Sequence, residues 1–201
     1  MTNQNNQTMK RISLTLLFCA TLALVGCKNE KKEKDVEKVS ETEMTQDTIK
    51  EVKKVKVTME PKSDSKLSGN VVFTEENGEV TMTAIIDGLS EGLHAIHLHE
   101  NADCSAKDGS SAGGHWNPTH ENHSKWGDSK GYHKGDIGNF KVDANGQGTI
   151  TMTTDEWCIG CDDPNKNILE KSVVIHDGVD DFTSQPSGAA GTRVGCGTIK
   201  L

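Results

Sequence analysis

The sequence predicts an all-β fold, an eight-stranded antiparallel sandwich or barrel, on three observations. Past residue 51 apolar side chains alternate with polar ones, turn signals separate the alternating runs, and no segment carries the 3.6-residue stripe of an amphipathic helix. The first strand is 55–59, where Val55, Val57 and Met59 alternate with Lys56 and Thr58. The second, 67–75, runs into Glu76-Asn77-Gly78, a hairpin signal, and the third, 80–85, resumes the alternation with Val80, Met82 and Ala84. The fourth is 92–99. The fifth, 135–142, and the sixth, 148–154, flank the turn Asp143-Ala144-Asn145-Gly146. The β-branched runs in 172–176 and 193–199 complete the set. Many short strands with such turns bury their apolar faces by packing into a sandwich or barrel.

Ahead of this domain, which spans 51–201, the chain of 201 residues carries two segments of other composition. Residues 1–26 read as a signal peptide: Lys10 and Arg11 precede an apolar run, 12–25, too short to cross a bilayer as a helix. Leu24-Val25-Gly26-Cys27 resembles the bacterial lipobox, so Cys27 is expected to carry lipid and become the mature N-terminus. Two or three acyl chains anchor a protein stably where one does not. Residues 27–50 are nearly all Lys, Glu, Asp, Ser, Thr and Gln, and are expected to form a disordered charged tether. The predicted product is an exported lipoprotein of the cell envelope, on the periplasmic or outer-surface side of a membrane, which it touches through the lipid alone.

Residues 51–201 carry 14 Lys and Arg against 23 Asp and Glu, a net charge of −9, which argues against nucleic acid as a partner. Of six cysteines, Cys19 lies in the leader and Cys27 takes lipid, leaving Cys104, Cys158, Cys161 and Cys196. An even set in an exported domain points to disulfides, and four cysteines allow three pairings. Cys158-Ile159-Gly160-Cys161 sits in a strand connection, without the βαβ setting of a thiol redox motif, so a local disulfide is expected there.

Two connections are longer than turns. Residues 100–134 are rich in Gly, Ser, Asn, Asp and His; residues 177–192 form a shorter loop without Lys or Arg. Metal ligation would offset the entropy of ordering such loops. Seven of the eight histidines lie between His94 and His133, and the eighth, His176, ends a strand. His97 and His99, two apart on a strand, leave the same face about 7 Å apart, close enough to share an ion. His94 faces the other way and is expected to be a structural, hydrogen-bonding residue. His115, His123, His133 and Asp136 supply the three imidazoles and one carboxylate that suit tetrahedral zinc. His120 matches no ligand position and is expected to face solvent. Trp116, Trp126 and Trp157 are expected to pack in loops and at the rim.

Six stretches resemble the copper/zinc superoxide dismutase family in order and approximate spacing, from about residue 55 to the C-terminus. They are Gly88-Leu89-Ser90-Glu91-Gly92-Leu93-His94, His97-Leu98-His99-Glu100, Gly114-His115-Trp116-Asn117-Pro118, His133-Lys134-Gly135-Asp136-Ile137-Gly138-Asn139, Val174-Ile175-His176 and Gly191-Thr192-Arg193-Val194-Gly195-Cys196-Gly197. The resemblance implies the Greek-key form of the fold with long metal-binding and active-site loops. It implies copper on His97, His99, His115 and His176, and zinc on His115, His123, His133 and Asp136. His115 serves both ions because an imidazole has two ring nitrogens.

The same resemblance makes Asp180 a carboxylate joining the outer nitrogens of His97 and His123, pairs Cys104 with Cys196, and makes Arg193 a docking charge for a small anion. It implies superoxide as substrate, disproportionated to oxygen and hydrogen peroxide by alternate reduction and reoxidation of copper. His115 and Arg193 are the catalytic residues and zinc is structural. Because 177–192 departs from the eukaryotic pattern in lacking Lys and Arg, steering is expected to be local to Arg193 and the metals. The alternative is a non-catalytic exported copper/zinc buffer, which would have no use for an anion-docking arginine. A homodimer is compatible with the sequence.

Overall fold

The computed structural model describes residues 51–201. The signal peptide, the tether and the lipidation expected at Cys27 lie outside the described residues. Nine strands form one sheet: β1 (Lys53–Thr58), β2 (Glu60–Pro61), β3 (Ser68–Glu76), β4 (Glu79–Asp87), β5 (Gly92–His99), β6 (Gly138–Val142), β7 (Gly148–Thr154), β8 (Lys171–His176) and β9 (Arg193–Ile199). Eight are the predicted strands, and the added β2 is a two-residue continuation of β1. The order is β1-β3-β4-β7-β6-β5-β8-β9-β2, antiparallel at every pairing. Since β1 pairs with β3 and β2 with β9, one short stretch of chain joins both ends of the sheet into a nearly closed barrel.

Alternation decides which side chains fill the barrel. Val55 and Val57 of β1, Val71 and Phe73 of β3, and Val80, Met82, Ala84 and Ile86 of β4 are buried and belong to one core cluster. Trp116 and Trp157 belong to it too, at 4% and 1% exposure, which corrects their expected place at the rim. A tryptophan goes inside when its N–H finds an acceptor, and the Trp157 indole donates to Lys134 O at 2.8 Å. Trp126 packs against the core from a partly buried position.

β5, β8 and much of β9 are buried on both faces. Ile96, Leu98, Val173 and Ile175 point into the barrel, while Ala95, His97, His99, Ser172, Val174 and His176 lie on the outer face, beneath the loops. Val174 joins Ala112, Cys104 and Cys196 in a second small cluster there. His97, His99 and His176 therefore sit outside the barrel, with its wall behind them.

Two irregularities matter for the site. The predicted strand 135–142 begins only at Gly138, because Asp136 N bonds to His133 O in a turn that carries ligand candidates instead of joining the ladder. In the β8–β9 pairing Ile175 faces Gly195 but His176 faces Arg193, so a bulge leaves Val194 as an extra residue on β9.

Candidate metal centre

Three backbone hydrogen bonds draw the histidine-bearing segments together. Trp116 N donates to Leu98 O at 2.8 Å, Gly135 N to Trp116 O at 3.0 Å and Leu98 N to Gly135 O at 3.0 Å. A Cβ on Gly135 would lie 2.2 Å from Leu98 O, so only glycine admits this closed ring of contacts. The ring aligns β5, the segment at His115 and the turn His133–Asp136 side by side.

The side chains then converge in two groups whose ligand-capable atoms lie within 4.8 Å of one another: His97, His99, His115 and His176, and His115, His123, His133 and Asp136, all buried. His115 belongs to both. Its Nδ1 lies 2.9 Å from Asp136 Oδ1, while its ring centroid is 4.0 Å from that of His97. Asp136 Oδ1 also faces His123 Nδ1 at 2.9 Å and His133 Nδ1 at 3.2 Å, so three imidazoles aim at one carboxylate oxygen.

The outward nitrogens are bonded, and on the inward side only the group around Asp136 has a polar partner. His97 Nε2 lies 2.8 Å from Asp180 Oδ2, His123 Nε2 2.9 Å from Asp180 Oδ1, His99 Nδ1 3.0 Å from Gly113 O, His133 Nε2 3.1 Å from Glu121 O and His176 Nδ1 3.2 Å from Gly191 O. Four inward nitrogens, His97 Nδ1, His99 Nε2, His115 Nε2 and His176 Nε2, are buried without a polar partner among the described residues, and His123 Nδ1 and His133 Nδ1 face only Asp136 Oδ1. Buried polar atoms left in this way cost about 1–3 kcal/mol each, and so many aimed into two small spaces fit a pair of metal ions.

The electrostatics differ between the groups. Burial lowers His97 to about 3 and His176 to about 4, and takes His99 well below the ordinary imidazole value, so these rings are neutral and ready to ligate. Burial pulls His123 the same way, but hydrogen bonds to Asp136 and Asp180 outweigh it and raise His123 to about 9. Burial pushes both carboxylates up, yet bonds from the histidines hold them well below the usual range. Two anionic carboxylates around one histidine mark the second group as a cation site.

Asp180 thus joins His97 to His123. It is held in turn by Asn139, which accepts from Asp180 N and donates to Asp180 O, each at 2.8 Å. Gln185 clamps the backbone of His123, accepting from its N–H at 2.9 Å and donating to its carbonyl at 2.8 Å. The sequence reading assigns no role to Asn139 or Gln185. Both are amides, which carry a donor and an acceptor, but only the folded contact reveals them.

Arg193 reaches a cleft of about 450 Å³ lined by His99, His115, His176, Glu121 and Gln185 among others, and none of its lining residues is a lysine. Its Nη1 donates to Gly109 O at 2.9 Å, and Cys196, three residues on, is bonded to Cys104 with Cα atoms 5.7 Å apart. Cys158 and Cys161 form the second disulfide. His94 is buried, with Nδ1 3.0 Å from His176 O and Nε2 2.9 Å from Ser90 O, the structural role expected of it. His120 is exposed, as expected.

A nearly closed antiparallel barrel bearing two adjoining histidine-rich cages beside a cleft that Arg193 enters defines a class of metalloprotein built for two ions. Comparison with known proteins narrows the class. The family described as "Copper/zinc superoxide dismutase (SODC)" matches residues 67–199. A "Superoxide dismutase [Cu-Zn]" of Botryotinia fuckeliana is 36% identical over 156 residues, covering 73% of this chain and 98% of the relative. That of Neisseria meningitidis is 34% identical over 157 residues, covering 71% and 78%. A solved structure, "Crystal Structure Analysis of the clock protein EA4", superposes with a TM-score of 0.65 at 30% identity, over 74% of this chain and 94% of that one. The chain belongs to the copper/zinc superoxide dismutase family, and its cofactors are copper and zinc.

Proposed function

We propose that this protein is an exported superoxide dismutase in which His97 Nδ1, His99 Nε2, His115 Nε2 and His176 Nε2 hold copper, and His115 Nδ1, His123 Nδ1, His133 Nδ1 and Asp136 Oδ1 hold zinc. The observation that carries the reading is the set of buried inward imidazole nitrogens, four of them without a polar partner, around a ring, His115, that faces both groups. Bound copper supplies a one-electron Cu(II)/Cu(I) couple through which two superoxide ions and two protons become oxygen and hydrogen peroxide, while bound zinc supplies a fixed charge and no redox chemistry.

The chain's own residues do the rest. Arg193 holds the anion in the cleft with a charge that never titrates away. His115 Nε2 would take a proton when it lets go of copper and give it up when it binds copper again, a role that suits a ring whose other nitrogen stays beside Asp136. Asp180 keeps His97 and His123 aimed, linking one group to the other. The walls of β5 and β8 keep the rings from turning. With no lysine lining the cleft and a domain of net charge −9, attraction of the anion is local to Arg193 and the metals.

Two disulfides and the resemblance to bacterial and extracellular relatives support export. The domain spans 51–201, led by a signal peptide at 1–26, lipid on Cys27 and a tether at 27–50. The function is tested by purifying the protein, loading it with one copper and one zinc per chain, and following superoxide decay. The expected outcome is copper-dependent acceleration that falls when His115 is replaced by Ala. Stoichiometric metal binding without acceleration would leave the buffer as the better reading.

A further inference from the structure

The Cys158–Cys161 disulfide lies in the connection between β7 and β8 and touches none of the groups above. The two residues before it do something specific. Glu156 accepts from Tyr132 Oη and forms an ion pair with Lys134, and the Trp157 indole donates to Lys134 O at 2.8 Å. Tyr132 and Lys134 are the neighbours of His133 on either side. Trp157 is itself fixed, 1% exposed, with its ring edge-on to Phe73 at 6.1 Å and to Trp126 at 5.5 Å, and Trp126 packs on Tyr132 at 5.0 Å.

Immediately after Trp157 the chain is tied into a small knot. Cys158 N donates to Lys166 O at 2.8 Å and Ile168 N to Cys158 O at 3.0 Å. Gly160 N donates to Asn167 Oδ1 at 3.0 Å, Asn167 Nδ2 to Cys161 O at 3.1 Å, and Ile159 N to Glu75 Oε2 at 2.6 Å on β3. The disulfide closes the first four residues of this knot. A strap thus runs from β3, through the knot and Trp157, to both sides of His133.

We infer that Glu156 and Trp157, locked by the Cys158–Cys161 disulfide, are positioning residues that hold the His133 imidazole on its aim and so set the rate at which zinc leaves the site. The inference rests on the reading that His133 ligates zinc. The polar contacts of the strap go to Tyr132 and Lys134, the chain neighbours of His133. The effect passes through the backbone of Tyr132, His133 and Lys134, and loss of such outer support typically lowers metal affinity 10–100-fold.

The test uses the folded, zinc-loaded chain and measures zinc transfer to a chromophoric chelator, with the visible spectrum of cobalt placed in the zinc site as a second readout. Trp157→Phe, Glu156→Gln and the double variant Cys158→Ser with Cys161→Ser are each expected to speed release, Trp157→Phe by about 10-fold or more, and to alter the cobalt spectrum. Val71→Ala, a core change on β3, is expected to lower the melting temperature without either effect. Should Trp157→Phe fail to fold, Glu156→Gln, whose side chain is partly exposed, carries the test alone. Release at the wild-type rate with an unaltered spectrum would overturn the strap. A His133→Ala variant that kept zinc as well as wild type would instead overturn the zinc ligand set.

Discussion

Gly188 offers a sharp way to separate the carboxylate link from the rest of the fold. It sits at φ +68° in the loop after β8, and a Cβ there would fall 1.9 Å from Asp180 Oδ1 and 2.6 Å from His123 Nε2. Gly188→Ala must therefore push Asp180 off His123, breaking a buried contact of 2.9 Å. Left-handed backbone at a non-glycine residue costs about 1–2 kcal/mol. The broken charge-assisted hydrogen bond costs about 1.5–3 kcal/mol. Together they predict a loss of about 2.5–5 kcal/mol in the metal-free protein, read by denaturant unfolding. Because Asp180 also holds His97, affinity for both copper and zinc should fall about 10–100-fold in competition with chelators. Gly78→Ala is the control: φ is +83° but nothing lies within 4 Å, so only the backbone cost should appear, with metal affinity unchanged. If the two variants lose equal stability and Gly188→Ala keeps both ions, the claim that Asp180 couples the two groups is wrong.

Arg193→Gln, which removes the charge above the cleft, should lower kcat/KM for superoxide about 10–100-fold, the equivalent of about 1.5–3 kcal/mol, while metal content stays the same. Replacing Cys104 and Cys196 together by Ser opens a link across 92 residues of sequence and should destabilise the metal-free protein by about 4.6 kcal/mol in the chain-entropy model, measured by thermal melting. Cys27→Ser should abolish incorporation of labelled palmitate and release the protein from the membrane fraction.

What the sequence discloses is what local pattern carries. The ranges 92–99, 148–154 and 193–199 match β5, β7 and β9 end to end, each opened by a Gly or Arg that follows a loop. His97 and His99 are legible for the same reason: two residues apart on a strand is a geometric statement. The start of β6 is not legible, since Gly135 to Ile137 look like strand but are held by contacts with β5 and the segment at His115. Asn139 and Gln185 escape because their partners, Asp180 and His123, lie 41 and 62 residues away. Lys62 escapes likewise: its buried ammonium donates to Cys104 O and bonds Glu60, tying β2 to the disulfide loop. A lysine beside a proline has no pattern that announces such a contact.

The extra residue in β9 carries a consequence for the loop that the strand grips. In a regular strand, positions three apart face opposite sides of a sheet, so Arg193 and Cys196 should not serve the same surface. The bulge at Val194 shifts the count by one, and both residues address the same loop, Cys196 through sulfur at Cys104 and Arg193 through its guanidinium at Gly109. An odd miscount in an even-numbered geometry thus gives one strand two handholds on one loop. With Val194 deleted, Arg193 and Cys196 would stand two positions apart, the spacing that puts both on one face of a regular strand, so the barrel would still close and both handholds would remain.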